Sequence, residues 1–343
     1  MRPIYHPAGH DDELRDALVE LQAGRWRAAR DLLHDTSSDW LLRTSRTQVL
    51  AVAAARSDVV NVWRSEEPDS YDAQVMHARV LVERTLRAHR QQHAGAADFE
   101  DRARRIALQA AHRSASDPVP WVCLLALAQV DEEQRRPEHR EWSSEPMLPS
   151  GPWRLLHEVN QRDAYSREAF HRMLQFMLAQ DAPQGASLAA IFDFGRWVAS
   201  WAPVESPLLL LPVYAQVEQC RQLLAQGRRD PLWRRQWADE PAIGYTLKAF
   251  HEWFRKSDPS RQSVADLSHL AYALWVSHKF TEAAEVFSAI APYGAREPWI
   301  SVLEKQPSPP EGEALLLRAC RESLSYAASH SPRAGPHPHP RLA

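Results

Sequence analysis

The chain has 343 residues, only 11 of them Gly, a formal net charge of −3 and a pI near 6.6. That balance gives no electrostatic footprint for nucleic acid, which calls for a basic domain or stripe. Strong helix formers dominate window after window while Val, Ile and Thr runs are scarce, so a sheet-rich fold is excluded and the reading is all-α. Cys123, Cys220 and Cys320 lie far apart without C-x-x-C spacing and read as buried reduced thiols. The opening MRPIYHPAGHDDELRD has no apolar core of a signal peptide, and no apolar run reaches the length of a bilayer span. The expectation is a cytoplasmic protein with no membrane partner.

In chain order, Asp11 to Thr36 reads as a helical hairpin bent at Gly24, with Asp11 and Asp12 capping its first helix. A helix follows from Trp40 to Ala55, then a shorter one through Val59, Val60 and Trp63. Asp69 is the expected cap of a long helix to about Arg90, whose stripe is Tyr71, Val75, Ala78, Val82 and Leu86. Helix resumes from Phe99 to Ser114. Trp121 to Val130 is apolar almost all round, so neighbours must cover it on every side. Residues 131–152, with four prolines and clustered charge, fail every periodicity test and form an irregular insert. A helix pair spans Trp153 to Gln180, one helix runs through Ile191 and Phe194 to Trp201, and another reaches about Gln226. The most aromatic segment includes Trp233, Trp237, Tyr245 and Trp253. A second hairpin occupies Ser268 to Ile290, followed by a short helix at Trp299, Ile300 and Leu303 and a last amphipathic helix from Glu313 to Ser329.

The two hairpins share a residue series. Ala17, Gly24, Trp26, Ala29 and Leu33 have the same mutual spacing as Ala271, His278, Phe280, Ala283 and Phe287. Small residues let two helices approach while aromatics fill the wedge beside them, and in this the series resembles the tetratricopeptide repeat family. The strings AGRWRAARDLL, SDPVPWVCLLALA and GPWRLLHEVNQRDAYSREAFHRML also resemble a set of actinobacterial proteins carrying repeats of that kind, to which no chemistry is attached. The resemblance implies an irregular tetratricopeptide-like α-solenoid of roughly fifteen helices. Its parts would be N-terminal repeats over 1–130, the insert at 131–152, C-terminal repeats over 153–329 with the last helix as cap, and a disordered tail at 330–343.

Residues able to do chemistry are few. His10 to Glu13 point in different directions on a helix start, where the carboxylates already serve as caps. His139 sits in the insert among Glu132, Glu133, Glu138 and Glu141, interleaved with arginines that can neutralise them. His157, Glu158 and His171 lie on the helix pair after the insert and could meet across it; with His139 they form the candidate pocket. His337 and His339 in the tail cannot close a coordination shell alone. No glycine-rich phosphate loop, G-x-S-x-G or H-E-x-x-H occurs, so no cofactor, metal or catalytic residue is called for.

The leading expectation is therefore a non-catalytic protein or peptide interaction module. Trp233, Trp237, Tyr245 and Trp253 are its candidate partner-binding aromatics, and its arginines favour an acidic partner. The alternative is an enzyme or small-molecule binder with a pocket near the insert and the helix pair after it. A ligand-sensing regulator acting with a separate DNA-binding chain is a third possibility.

Overall fold

The computed structural model describes residues 2–180, 188–227, 235–303 and 308–330. Among them are sixteen α-helices and no strands. They are α1 (Asp12–Gln22), α2 (Arg27–Thr36), α3 (Trp40–Ala54), α4 (Val59–Glu66), α5 (Tyr71–Arg90), α6 (Ala96–Arg113), α7 (Val119–Leu127) and α8 (Trp153–Asn160). After them come α9 (Arg167–Ala179), α10 (Leu188–Trp201), α11 (Leu211–Ala225), α12 (Arg235–Ala238), α13 (Ala242–Lys248), α14 (Val264–Val276), α15 (Phe280–Ile290) and α16 (Pro309–His330). The expected tail, with His337 and His339, lies outside the described residues from position 331 onward.

Local chemistry explains several boundaries. The Asp11 carboxylate accepts from the Leu14 amide and Asp39 from that of Leu42, each satisfying an otherwise orphaned helical N–H. The cap of α5 is Ser70, not Asp69, because Ser70 has the extended backbone from which its hydroxyl reaches the Ala73 amide. Gly24 bends the first hairpin at φ +81°, and His278 adopts φ +60° at the matching bend of the second. Both hairpins form as packed pairs, α1 with α2 and α14 with α15, with Ala17, Ala29, Leu33, Ala271, Ala283 and Phe287 all buried.

The structure differs from the sequence reading in several places. Helix α6 begins at Ala96 and α16 at Pro309, and the expected short helix at Trp299 is a turn. Trp299 is drawn into the core there, its indole N–H donating to the Ser268 hydroxyl at 2.8 Å, and that anchor shapes the turn.

Two apolar clusters share α5. One runs from Ala8 to Val80, the other from Val75 to Ala319. Helix α7 lies inside the second, packed against α5, α6, α8 and α9, with every residue except Trp121 buried. The chain also meets its own start. The Ile4 amide donates to Pro292 O at 3.0 Å, the Gly294 amide to Ile4 O at 3.1 Å, and Arg261 pairs with Asp39 at 2.8 Å.

Buried arginines tie the clusters together. Arg46 reaches Asp11 and Glu13, and Arg43 reaches Asp72 and Asp117. Arg79 grips both oxygens of Glu168 at 2.7 Å, and Glu168 also accepts from Arg172. Burial alone would raise the Glu168 pKa, but the two guanidiniums outweigh it and hold the carboxyl ionised. Removing one member leaves a charge in the core, so Glu168→Leu should destabilise the protein by about 3–5 kcal/mol in urea unfolding. Adding Arg79→Met to that variant should recover part of the loss. Additive losses would mean that the pair is not coupled.

Candidate functional site

The residues singled out for a pocket do not converge. His139 is sealed within the insert, where its Nδ1 lies 2.8 Å from Asp131 Oδ2 and its Nε2 has no partner. Asp131 also accepts from the Arg135 and Arg136 amides, so this dyad folds the start of the insert. Ion pairs from Arg136 to Glu100 and Asp101, and between Glu138 and Arg104, fasten the insert to α6. His157 is exposed and lies 2.7 Å from Gln161 Nε2. Glu158 pairs with Arg162, which lies over the Trp121 ring. His171 is elsewhere, edge-on to Tyr214 with ring centroids 4.5 Å apart. No polar contact joins any two of these four among the described residues. A shallow depression of about 380 Å³ at the end of α8 is lined by Trp40, Ala115, Ser116, Gln161 and Arg162, and by none of the four.

His171 instead belongs to a cluster that sequence spacing did not reveal, assembled from α9, α11 and α14. Arg167 forks onto Asp266 with bonds of 2.5 and 2.6 Å, and the Tyr214 hydroxyl donates to the same carboxylate at 2.6 Å. His269 stacks on the Tyr214 ring with centroids 3.8 Å apart. Burial would raise the Asp266 pKa, but Arg167 prevails and brings it to about 2. Burial, reinforced by Arg167, lowers His171 to about 3, and burial lowers His269 to about 4. At neutral pH the cluster therefore holds one ion pair and two neutral imidazoles, an arrangement suited to locking three helices together.

The aromatic candidates are corrected in the same way. Trp237 and Trp253 are only 1% and 2% exposed. Trp237 stands edge-on to Tyr272 at 5.4 Å, and Trp253 lies in a π-helical turn, Ala249–Phe254. Aromatic density here fills the core rather than a groove. Tyr245 is half-buried and borders, with Trp237, Phe192, Gln216, Gln219 and Glu240, a cavity of about 480 Å³. Trp233 lies outside the described residues.

Ile4, Val19, Val52, Val204 and a few other apolar side chains are partly in solvent, but the two most exposed are in the insert. Trp142 is 88% and Met147 76% exposed, the two highest values for large apolar residues among those described. They sit on a loop closed at its neck by paired backbone bonds, Glu141 N–H to Gly151 O at 3.0 Å and Gly151 N–H to Glu141 O at 2.9 Å. Leu148 plugs the loop into the core, and the Trp153 indole donates to Pro149 O at 2.9 Å. Close approach favours Gly151. A Cβ there would stand 3.0 Å from both Met173 and Phe176 of α9. The signal available beforehand was a tryptophan in a segment with no helical period, hence with no apolar stripe to join.

Two measurements follow from this geometry. Gly151→Val should push the neck off α9, speeding amide exchange at Glu141 and Gly151 and lowering stability by about 1–3 kcal/mol. Acid should destabilise the three-helix cluster. His171 and His269 titrate in the fold well below the ordinary 6.5, and Asp266 below 3.8. The unfolded chain therefore binds more protons, and stability falls as pH drops from about 6.5 toward 3. Urea midpoints between pH 7 and pH 4 should show a smaller loss for His171→Leu than for the unaltered protein.

Comparison with known proteins gives no match: no family model, no curated protein and no solved structure is significantly similar to the chain.

Proposed function

We propose that the chain is a non-catalytic, cytoplasmic protein-interaction module in which helix pairs of tetratricopeptide type form an irregular α-solenoid and the loop 142–150 docks the partner. The observation that carries this reading is Trp142 and Met147, left in water on an ordered loop. A solvent-facing tryptophan contributes a large apolar area when a partner covers it. A loop already held by its neck, by Leu148 and by Trp153 loses little conformational freedom on binding. The shared series of the α1/α2 and α14/α15 hairpins supports the repeat reading, since its small residues are buried where the helices meet.

A second reading has one observation in its favour. The cavity of about 480 Å³ bordered by Phe192, Tyr245, three glutamines and Glu240 has the size and mixed lining of a small-molecule site. It lies among α10 to α13, not beside the insert.

A crosslinked pull-down of the tagged protein from its native host, read by mass spectrometry, tests the first reading. A specific partner should be captured by the unaltered chain and lost by the folded Trp142→Ala/Met147→Ala variant. A partner retained by that variant, or none captured by either form, contradicts docking through the loop.

A further inference from the structure

The cavity among α10 to α13 carries a charge pattern that names the class of ligand it fits, an inference that rests on the small-molecule reading above. Four helices wall it: Phe192 comes from α10, Gln216 and Gln219 from α11, Trp237 from α12 and Tyr245 from α13. Three carboxylates also line it, Asp193, Asp239 and Glu240, against a single guanidinium, Arg196. Arg196 pairs with Asp193 one turn away on α10, so those two charges cancel. Among the described residues, the Asp239 and Glu240 side chains have neither an ion pair nor a hydrogen bond. The described cations nearby do not balance them: Arg235 is absent from the lining and pairs with neither, and Lys248 donates to Ala199 O at 2.9 Å. The Glu240 carboxylate lies against Gly244, its Oε2 2.7 Å from where a Cβ at 244 would stand, and Gly244 is next in the chain to Tyr245. Trp237 is buried, and its indole nitrogen has no hydrogen-bond partner. The lining thus joins aromatic rings, amide groups and two unbalanced carboxylates.

We infer that the cavity binds a small organic ammonium compound, its charged head at Asp239 and Glu240 and its apolar body against Phe192 and Tyr245. An ammonium group is attracted both to carboxylates and to aromatic rings, and the side-chain carbonyls of Gln216 and Gln219 can accept its N–H groups. The same carboxylates repel an anion. A bare divalent cation is disfavoured for another reason. It needs several ligands at once, and among the described residues no three His, Cys, Asp or Glu side chains stand together as a metal set.

The test titrates the purified full chain with phenethylamine, phenethyl alcohol and phenylacetate, which share a ring and a two-carbon chain and differ in charge. Ligand-observed NMR gives the affinities, and hydrogen exchange locates the site. Phenethylamine should bind about tenfold tighter than the alcohol, phenylacetate should bind weakest, and exchange should slow at α10 to α13. Asp239→Asn/Glu240→Gln should bring the amine down to the affinity of the alcohol. Both side chains are exposed, and circular dichroism verifies the fold. Tyr245→Ala should weaken amine and alcohol alike. If the alcohol binds within about twofold of the amine and slows exchange at α10 to α13, the cavity is a small-molecule site and the cation is wrong. Tightest binding by phenylacetate, or an amine preference that survives in the double variant, would overturn the cation as well. If none of the three slows exchange at α10 to α13, the small-molecule reading of the cavity fails with it.

Discussion

The buried contact between Arg79 and Glu168 is the constraint on which the arrangement of this protein depends. The two residues stand 89 positions apart, on α5 and α9, and their side chains are almost fully shielded from water. A guanidinium and a carboxylate taken out of water are tolerable only against each other, so every packing of these two helices that separates them is heavily penalised. Helix α5 belongs to both apolar clusters, and fixing α9 on it places the rest of the chain relative to the N-terminal hairpin.

From α9 the constraint spreads in two directions. Arg167, one residue before Glu168, forks onto Asp266 and draws α14 in, with Tyr214 of α11 completing the contact. Met173 and Phe176, further along α9, press on Gly151 and so set the neck of the 142–150 loop. The exposed tryptophan is thus held at the end of a continuous line of contacts: ion pair, helix, glycine, neck, loop. Two groups able to do acid–base chemistry are engaged in structural contacts. Asp266 is bonded to Arg167 and Tyr214, and His139 to Asp131. The two most exposed large apolar side chains, Trp142 and Met147, are suited to recognition.

Much of the helical framework was legible, because a stripe with a period near 3.6 or a small residue at a helix crossing leaves a local mark. Ala17 with Ala29 and Ala271 with Ala283 marked both hairpins, the all-apolar run of α7 marked its central place, and the broken pattern of 131–152 marked the insert. The ionic contacts left no such mark. Arg79 reads as an ordinary wet-face residue of α5, and only the fold brings Glu168 to it. The same holds for His171, whose neighbours Tyr214 and Asp266 come from distant helices. Aromatic residues misled for another reason. A tryptophan is equally at home in a core or at an interface, so Trp237 and Trp253 could not be separated from Trp142 by residue type. What separated them was context: the first two lie in or beside helical segments with apolar companions, the third in a segment with no helical period.

The most direct measurement is hydrogen exchange on the full chain alone and then with its crosslink-identified partner. Docking through the loop predicts slowed exchange confined to the neck and its flanks, around residues 140–154, with α10 to α13 unchanged. Slowed exchange around the cavity bordered by Tyr245 and Gln216, with residues 140–154 unaffected, would contradict it.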